Sequence, residues 1–206
     1  MKGLLITVEG IDGSGKSTLA HSLAEKLLTA GHDCILTKEP GQTALGQKLS
    51  ASLQQNKAVV GDMAEFLLFA ANRAQHFEEV IIPGLRAGKI IISDRMADSS
   101  LAYQGYGRGL DLAMIKKINA WVMRAITPDL TFYLAIDVPS AHERIRQRKQ
   151  ILTSFEQEQI DFWQRVHDGY ETIFVGRSNV VRLDATKSPA ALAGEAVADV
   201  LPLRLP

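Results

Sequence analysis

The residue types best suited to chemistry occur together in one short segment, Gly10-Ile11-Asp12-Gly13-Ser14-Gly15-Lys16-Ser17. The segment fits the pattern G-x-x-x-x-G-K-[ST], in which glycines allow backbone N–H groups to turn towards phosphate oxygens. The lysine of this pattern reaches the β- and γ-phosphates of a nucleoside triphosphate, and the hydroxyl after it binds Mg²⁺. The residues predicted to hold those phosphates are Gly10, Gly13, Ser14, Gly15, Lys16, Ser17 and Thr18.

This phosphate-binding segment has one plain alternative, a glycine-rich turn that binds nothing. The alternative is disfavoured because the segment follows the apolar run Leu4–Val8 and precedes the helical pattern Lys16–Ala30, as the pattern requires. Nucleotide binding alone does not fix the function, since GTPases, motor ATPases and small-molecule kinases share it. The chain has no Asn-Lys-x-Asp guanine motif and is short for a motor ATPase, which disfavours the first two classes.

A second polar group follows the apolar run Ile90–Ser93, where Asp94 and Arg95 stand side by side. At the end of a buried strand, the aspartate would reach Mg²⁺ or its waters. The arginine would clamp a phosphate through two hydrogen bonds. A structural pair on the surface is the alternative, and the phosphate-binding segment elsewhere in the chain makes it the less favoured one.

Two further stretches offer groups for a nucleobase. Phe69 and Arg73 share one face of a helix, so the ring would stack on a base while the arginine bonds its edge. The alternative, which periodicity alone favours, is a core phenylalanine and a solvated arginine. The glycine-broken polar loop at residues 103–109 is either part of the same site or a turn-rich connector. The hydrogen-bonding groups in and before it are Ser99, Ser100 and Gln104.

Positive charge is concentrated at the end of another predicted helix, in Arg144-Ile145-Arg146-Gln147-Arg148-Lys149. These side chains either interact with the helix dipole or belong to a lid that closes on phosphates and excludes water. The break at Thr153 and Ser154 suits a lid, which the sequence places at about residues 144–156.

Short apolar runs alternate with helical patterns along the chain, and these elements must position the groups above. Strands are predicted at residues 4–8, 34–37, 89–93, 130–136 and 180–183, and helices at 16–30, 43–53, 62–85, 111–126, 140–149, 156–175 and 189–201. Pro83 is expected to kink or end the third helix. Continuously apolar strands between helices predict an α/β fold, a doubly wound five-stranded parallel sheet with helices on both faces. No linker divides the chain, so we expect one domain over residues 1–206.

Composition narrows the classes of protein further. The 206 residues hold 23 Lys and Arg against 23 Asp and Glu, so the basic excess that a general nucleic-acid-coating protein needs is absent. The single cysteine, Cys34, fits a reducing compartment, and no apolar run approaches the roughly 20 residues of a membrane span. The first residues, Met1–Ile6, run into a strand-like segment without a signal-peptide pattern. We therefore expect a cytoplasmic globular protein that binds neither nucleic acid nor membrane.

In their order and spacing, these motifs resemble the thymidylate kinase family of the P-loop nucleoside monophosphate kinase superfamily. The resemblance covers nearly the whole chain, and no single motif beyond the first segment carries it. The motifs are the segment from Val8 to Thr18, Thr37-Lys38-Glu39-Pro40-Gly41, Phe69-Ala70-Ala71-Asn72-Arg73, Ser93-Asp94-Arg95, Ala102-Tyr103-Gln104-Gly105 and Pro128-Asp129-Leu130-Thr131-Phe132-Tyr133-Leu134.

The resemblance implies that ATP phosphorylates dTMP to dTDP for dTTP synthesis, by Mg²⁺-assisted in-line transfer in a homodimer. It implies that Phe69 stacks on thymine and Asp12 bonds the 3′-hydroxyl. The other implied dTMP-binding residues are Lys38 and Arg95 at the phosphate and Arg73, Ser99, Ser100 and Gln104 at the base. The implied catalytic residues are Lys16, Arg95, Arg146 and Arg148. The implied metal-binding residues are Ser17, Asp94 and Glu9.

The chain departs from the family pattern at positions that hold phosphate. Lys38 stands where arginine is usual, which replaces a planar fork by a point charge. Gly13 and Ser154 occupy or adjoin positions at which a catalytic arginine is usual. Its place would be taken by Arg146, Arg148 or Lys149, and the sequence does not decide among the three.

Two other functions stay open at this point. The nearer is a kinase for another deoxynucleoside monophosphate or for a deoxynucleoside, and Lys38 with Arg95 favours a phosphorylated acceptor over a neutral nucleoside. The more distant is a P-loop switch protein that binds nucleotide without an acceptor. For a kinase, we expect the cations at positions 16, 38, 73, 95 and 144–149 to converge on one cleft.

Overall fold

The computed structural model describes residues 3–54, 60–148 and 152–203. It contains one sheet with the strand order β2-β3-β1-β4-β5, and each neighbouring pair is parallel. The strands are β1 (Leu4–Glu9), β2 (Cys34–Lys38), β3 (Ile90–Asp94), β4 (Leu130–Ala135) and β5 (Val180–Asp184). The predicted five-stranded parallel sheet is therefore confirmed.

The α-helices of the described chain are α1 (Lys16–Thr29), α2 (Ala44–Gln54), α3 (Asp62–His76), α4 (Ile82–Arg86), α5 (Ala97–Ser100), α6 (Leu112–Val122), α7 (Val138–Gln147), α8 (Ile160–Phe174) and α9 (Pro189–Val200). Two π-helical segments, Phe77–Ile81 and Leu101–Gly107, continue α3 and α5. Within the described ranges, no helix combines the length and the apolar character that crossing a bilayer demands.

Alternate residues of the central strands enter two different cores. Ile6 and Ile92 belong to a large cluster on one side, whereas Leu5 and Ile91 pack with Phe77 in a smaller cluster on the other. Successive side chains of a strand point to opposite faces, so both faces of the sheet are covered by helices. This double burial explains why the strands are continuously apolar, and it confirms the predicted layers.

The helix predicted at residues 62–85 passes Pro83 without ending. The backbone N–H of Ile82 donates to the carbonyl of Phe77, five residues earlier, so the chain makes a π turn just before the proline. Proline lacks an N–H and its ring crowds the carbonyl four residues back. The wider turn accommodates both effects, and the helical path continues to Arg86.

The prediction of a polar loop at residues 103–109 is wrong for most of that range. Residues 101–107 form a π-helical segment, in which the N–H of Arg108 donates to the carbonyl of Tyr103 at 2.9 Å. The glycines permit close packing rather than a turn, because a Cβ on Gly107 would lie 2.6 Å from a ring carbon of Phe162 in α8. The sequence indicated a turn because glycine is one of the residues most common in turns.

Gly169 of α8 is expected to be essential for this contact. A Cβ at that position would lie 2.7 Å from Cβ of Tyr106 in the π-helical segment, and neither atom can swing away. We expect Gly169→Ala to lower the free energy of unfolding by about 1–3 kcal/mol, as measured by urea denaturation. The matched control is Gly194→Ala in α9, where no atom lies within 4 Å of the added Cβ. It should raise stability by about 0.5–1 kcal/mol, and equal effects of both changes would contradict the packing argument.

Candidate active site

The loop between β1 and α1 is shaped by glycines with left-handed backbone angles. Gly10, Gly13 and Gly15 have φ values of 143°, 82° and 99°. A Cβ on Gly13 would lie 2.4 Å from the carbonyl oxygen of Ala141, so a larger residue does not fit. Ser14 Oγ is buried and has no hydrogen-bond partner within the described chain. An unpaired buried hydroxyl at the start of a helix fits the phosphate cradle predicted from sequence.

Lys16 is buried at the first position of α1. Its Nζ donates to the carbonyl of Ile11 at 2.8 Å and lies 3.8 Å from Asp12 Oδ1. Burial lowers the pKa of Lys16 to about 8, and repulsion by Arg95 adds to the shift. A phosphate placed beside Nζ would favour the charged form, so this lysine is suited to bind an anion.

The hydroxyl of Ser17 and the carboxylate of Asp94 form the group that fits Mg²⁺. Ser17 Oγ donates to Asp94 Oδ2 at 2.5 Å, while Asp94 Oδ1 is buried without a partner in the described residues. Those residues contain no cluster of three or more acidic, histidine or cysteine side chains that would form an all-protein metal cage. Mg²⁺ at a nucleotide site takes few ligands from the protein, because substrate phosphates and water supply the others. One hydroxyl and one carboxylate fit this pattern.

Glu9 was also predicted to bind the metal, and its surroundings argue against that role. Its Oε1 accepts from the backbone N–H of Met96 at 2.8 Å, and its Oε2 accepts from Ser99 at 2.6 Å and Tyr170 at 3.0 Å. Burial raises the pKa of Glu9 to about 7, and the charge of Asp98 adds to the rise. With both oxygens engaged, Glu9 positions the start of α5, and its metal-binding role stays a prediction beside those of Ser17 and Asp94.

Arg95 joins the end of β3 to the phosphate-binding loop. Its φ of 72° is unusual for a residue with a side chain, and it turns the guanidinium back across the loop. The guanidinium donates to the carbonyl of Gly10 at 3.0 Å and pairs with Asp12. Burial works against ionisation of Asp12, but the charges of Arg95 and Lys16 outweigh it and hold the pKa of that carboxyl below its ordinary value.

A cleft opens beside this loop. Every residue that was predicted to bind dTMP lines it except Lys38, and these residues are Asp12, Phe69, Arg73, Arg95, Ser99, Ser100 and Gln104. The cleft thus brings the aromatic and polar side chains of α3, α5 and the following π-helical segment together with the residues of the loop.

Arg73 is buried, so the alternative of a solvated arginine is wrong. Its Nε donates to Glu39 at 2.8 Å, and its Nη1 donates to Asn119 at 2.6 Å. Its Nη2 donates to the carbonyl of Met96 at 3.0 Å and to Ser100 at 3.1 Å. Four of the five guanidinium N–H groups are therefore occupied by described residues, which leaves one Nη1 donor at the wall of the cleft.

Phe69 is half-buried at the edge of the cleft and is not part of the described hydrophobic cores. Its ring lies 6.0 Å from that of Phe155, which also lines the cleft. The alternative of a core phenylalanine is therefore wrong, and the ring offers a flat apolar surface to a ligand.

The predicted convergence of all the cations on one cleft is only partly correct. Lys16, Arg73 and Arg95 lie at the cleft or the loop, whereas Lys38 lines a neighbouring depression with Ser17 and Asp94.

In the predicted lid, Arg146 pairs with Glu143 and Arg148 pairs with Glu156. Neither has a described contact with the phosphate-binding loop, while Arg144 donates to the Ser14 carbonyl at 3.5 Å. Lys149 lies outside the described residues.

Sequence reasoning missed several residues that shape the site. Glu39 was quoted within a motif but given no role, and it is the buried partner of Arg73 and of His76. Burial alone would raise the pKa of Glu39, but the Arg73 charge and the hydrogen bond from His76 hold it below its ordinary value. Tyr103 supports Arg95, whose guanidinium lies 5.0 Å from the ring centre. The sequence signal available for Glu39 was its place in the motif Thr37-Lys38-Glu39-Pro40-Gly41, where an acidic residue precedes a proline.

The model of the Thymidylate kinase family matches residues 8–195. The chain belongs to the thymidylate kinase family. The thymidylate kinase of Halothermothrix orenii is 45% identical over 190 residues, which are 91% of each chain. That of Exiguobacterium sibiricum is 40% identical over 203 residues, which cover 98% of this chain and 95% of the relative.

A solved structure supports the same membership. The crystal structure of thymidylate kinase from Ehrlichia chaffeensis is similar with a TM-score of 0.78 at 31% sequence identity. The similarity covers 97% of this chain and 99% of the other. The expected fold of a P-loop nucleoside monophosphate kinase is thereby confirmed for this thymidylate kinase family member.

The raised pKa of Glu9 predicts how stability depends on pH. The folded state binds the Glu9 proton more tightly than the unfolded state, whose pKa is about 4.5. The stability that this proton provides is complete below pH 4.5 and is lost as the pH rises through about 7. Between pH 4.5 and pH 7, the free energy of unfolding of the wild type should therefore fall by on the order of 2–3 kcal/mol relative to that of Glu9→Gln. Urea titrations at several pH values measure this difference.

The matched control for this experiment is Glu25→Gln, on the exposed face of α1. Its stability should follow the wild-type curve at every pH. A pH-independent difference between Glu9→Gln and the wild type would show that Glu9 is ionised throughout.

Proposed function

We propose that this kinase transfers the terminal phosphoryl group of ATP to the 5′-phosphate of dTMP, which gives ADP and dTDP for dTTP synthesis. One observation carries the proposal. The cleft that offers Phe69, Arg73 and Gln104 to a base also contains Asp12 and Arg95, which lie at the phosphate-binding loop. A nucleoside monophosphate bound there has its own phosphate directed towards the loop, and membership of the family supports the same reaction.

The base end of the cleft suits a pyrimidine. Phe69 supplies a stacking surface, and the remaining Nη1 donor of Arg73 is available to a carbonyl of the base. Ser100 is held in place because its hydroxyl accepts from Arg73 at 3.1 Å. The guanidinium itself cannot turn away, since Glu39 in the turn after β2 and Asn119 in α6 fix it.

At the phosphate end, charge compensation is the main task of the protein. Lys16 would contact the donor phosphates, and Arg95 and Lys38 would hold the acceptor phosphate from the cleft and the neighbouring depression. Ser17 and Asp94 would hold Mg²⁺, which when bound neutralises charge on the β- and γ-phosphate oxygens. The carboxylate of Asp12 would accept a hydrogen bond from the 3′-hydroxyl of the sugar.

The reaction needs no general base. The nucleophile is an oxygen of the acceptor phosphate, which is ionised at neutral pH, so alignment and charge neutralisation supply the rate. Thr153 and Phe155 line the cleft from the segment before α8, where closure over a bound substrate would restrict access of water. Catalytic roles for Arg146 and Arg148 stay predictions, because each would first have to leave its carboxylate partner.

The proposal is tested by release of ADP from ATP and Mg²⁺ in the presence of dTMP, dUMP, dCMP or thymidine. We expect stimulation by dTMP well above that by the other three. Greater stimulation by thymidine would instead identify a nucleoside kinase. Equal release with and without every acceptor would contradict any kinase assignment and favour a nucleotide switch.

Two lysines of α1 provide matched variants for this assay. Lys16→Ala removes the buried ammonium and should lower kcat on the order of 10²-fold or more. Lys26→Ala alters an exposed residue near the end of the same helix and should leave kcat unchanged.

We further propose that the protein is a homodimer that pairs through α3 and α6. Large apolar side chains are exposed on both helices: Met63 and Leu67 on α3 are 51% and 48% exposed, and Met114 and Trp121 on α6 are 47% and 80% exposed. Each pair shares one face of its helix, and the two helices are packed side by side. A location in the cytoplasm stays a prediction from sequence.

The dimer is expected to have twice the chain mass of 22.5 kDa in sedimentation equilibrium. Trp121→Lys should shift that mass towards the monomer, because it places charge in the apolar face. The control is Lys187→Glu in the loop between β5 and α9, where the lysine pairs with Glu195 of α9. A monomeric wild type at micromolar concentration would contradict the proposal.

A further inference from the structure

The amide of Gln104 has a fixed orientation in the cleft. Gln104 is only 2% exposed and belongs to the π-helical segment after α5. Its Nε2 donates to Glu65 Oε1 at 2.9 Å. Its Oε1 has no hydrogen-bond partner among the described residues, although the side chain lines the cleft. The group that Gln104 leaves for a ligand is therefore an acceptor.

The orientation of this amide is imposed by the partners of Glu65. Arg108 Nη2 lies 3.2 Å from Glu65 Oε2, and this guanidinium can only donate. An ionised carboxylate can only accept, so Glu65 requires the NH₂ end of Gln104 rather than its oxygen. Arg108 is itself fixed by Glu158 at 2.6 Å and by the ring of Phe162, whose centre is 4.6 Å away.

The cleft thus presents one donor and one acceptor to a bound base. The donor is the remaining Nη1 N–H of Arg73, and the acceptor is Oε1 of Gln104. Thymine and uracil carry an O4 acceptor beside an N3–H donor, which complements this pair. Cytosine carries an N4 amino group beside an unprotonated N3, so both of its groups would meet a group of the same kind.

We propose that Glu65 is a positioning residue that sets the choice of pyrimidine. By fixing the amide of Gln104, Glu65 favours a nucleotide whose base carries N3–H, such as thymine, over one that carries cytosine. The proposal rests on the proposed function, because it concerns the acceptor of the same reaction.

Glu65→Gln is the variant that tests this mechanism. Arg108 donates only, through Nη2 to Oε2 at 3.2 Å and more weakly through Nε to Oε1 at 3.5 Å. The closer contact would keep the oxygen of the new amide at the Oε2 position and leave its NH₂ facing Gln104. Gln104 would then turn its Oε1 towards that NH₂ and present its own NH₂ to the cleft, which suits N3 of cytosine. We expect the ratio of kcat/KM for dTMP to that for dCMP to fall by about tenfold or more, mainly through KM. The ratio of dTMP to dUMP should not change, since both bases carry N3–H.

Two further variants separate orientation from charge and from folding. Glu158→Gln removes the same charge from Arg108 without touching Gln104, and it should keep the wild-type ratio of dTMP to dCMP. Glu65→Asp keeps an acceptor-only partner and should also keep that ratio, even where both values of kcat/KM fall. Thermal unfolding of each variant checks that the fold is intact.

The proposal is overturned if Glu65→Gln keeps the wild-type ratio, or if Glu158→Gln lowers it by the same factor. Either result would be obtained with a wild type that phosphorylates dTMP. A wild type without that activity would instead contradict the proposed function.

Discussion

The parallel pairing of β1 with β3 is the interaction on which the active site depends. Val8 lies opposite Asp94, so the two strands end at the same level of the sheet. The hydrogen bonding continues one step further, because the N–H of Arg95 donates to the carbonyl of Val8 at 3.0 Å. The phosphate-binding loop and the Asp94–Arg95 pair therefore meet at one edge, as ligand sites do in open parallel sheets. The unusual backbone of Arg95 costs about 1–2 kcal/mol, and its hydrogen bonds across the loop offset that cost.

Buried charge gives the base end of the cleft its rigidity. Arg73 and Glu39 are an ion pair with almost no exposure, and His76 completes the network by joining Glu39 to Thr37. A buried pair of this kind adds little net stability, but loss of one partner costs about 3–5 kcal/mol. The benefit is orientation: the guanidinium is fixed by Glu39 directly after β2, by Ser100 in α5 and by Asn119 in α6 before any ligand arrives. Less ordering is therefore required when the base binds.

The parts of the site that could be predicted from sequence are those whose chemistry is local. The phosphate-binding loop, the strands and Asp94 with Arg95 follow from motif and apolar pattern within a few residues. Arg73 could not be distinguished from a solvated residue, because its burial depends on Glu39, Ser100 and Asn119 from other elements. Positive charge alone could not decide between a lid and a helix end for Arg146 and Arg148, because the acidic residues that pair with them belong to neighbouring parts of the chain.

The π-helical segment at residues 101–107 has a consequence for reading related sequences. A π turn contains one more residue than the α-helical turn it replaces, and each residue of an α-helix rotates the following side chains by about 100°. Removal of one residue here would restore a regular helix and turn Gln104 away from the cleft. In an alignment, a gap of one position at this point would therefore mark a change in which side chains face the substrate, rather than a shorter loop.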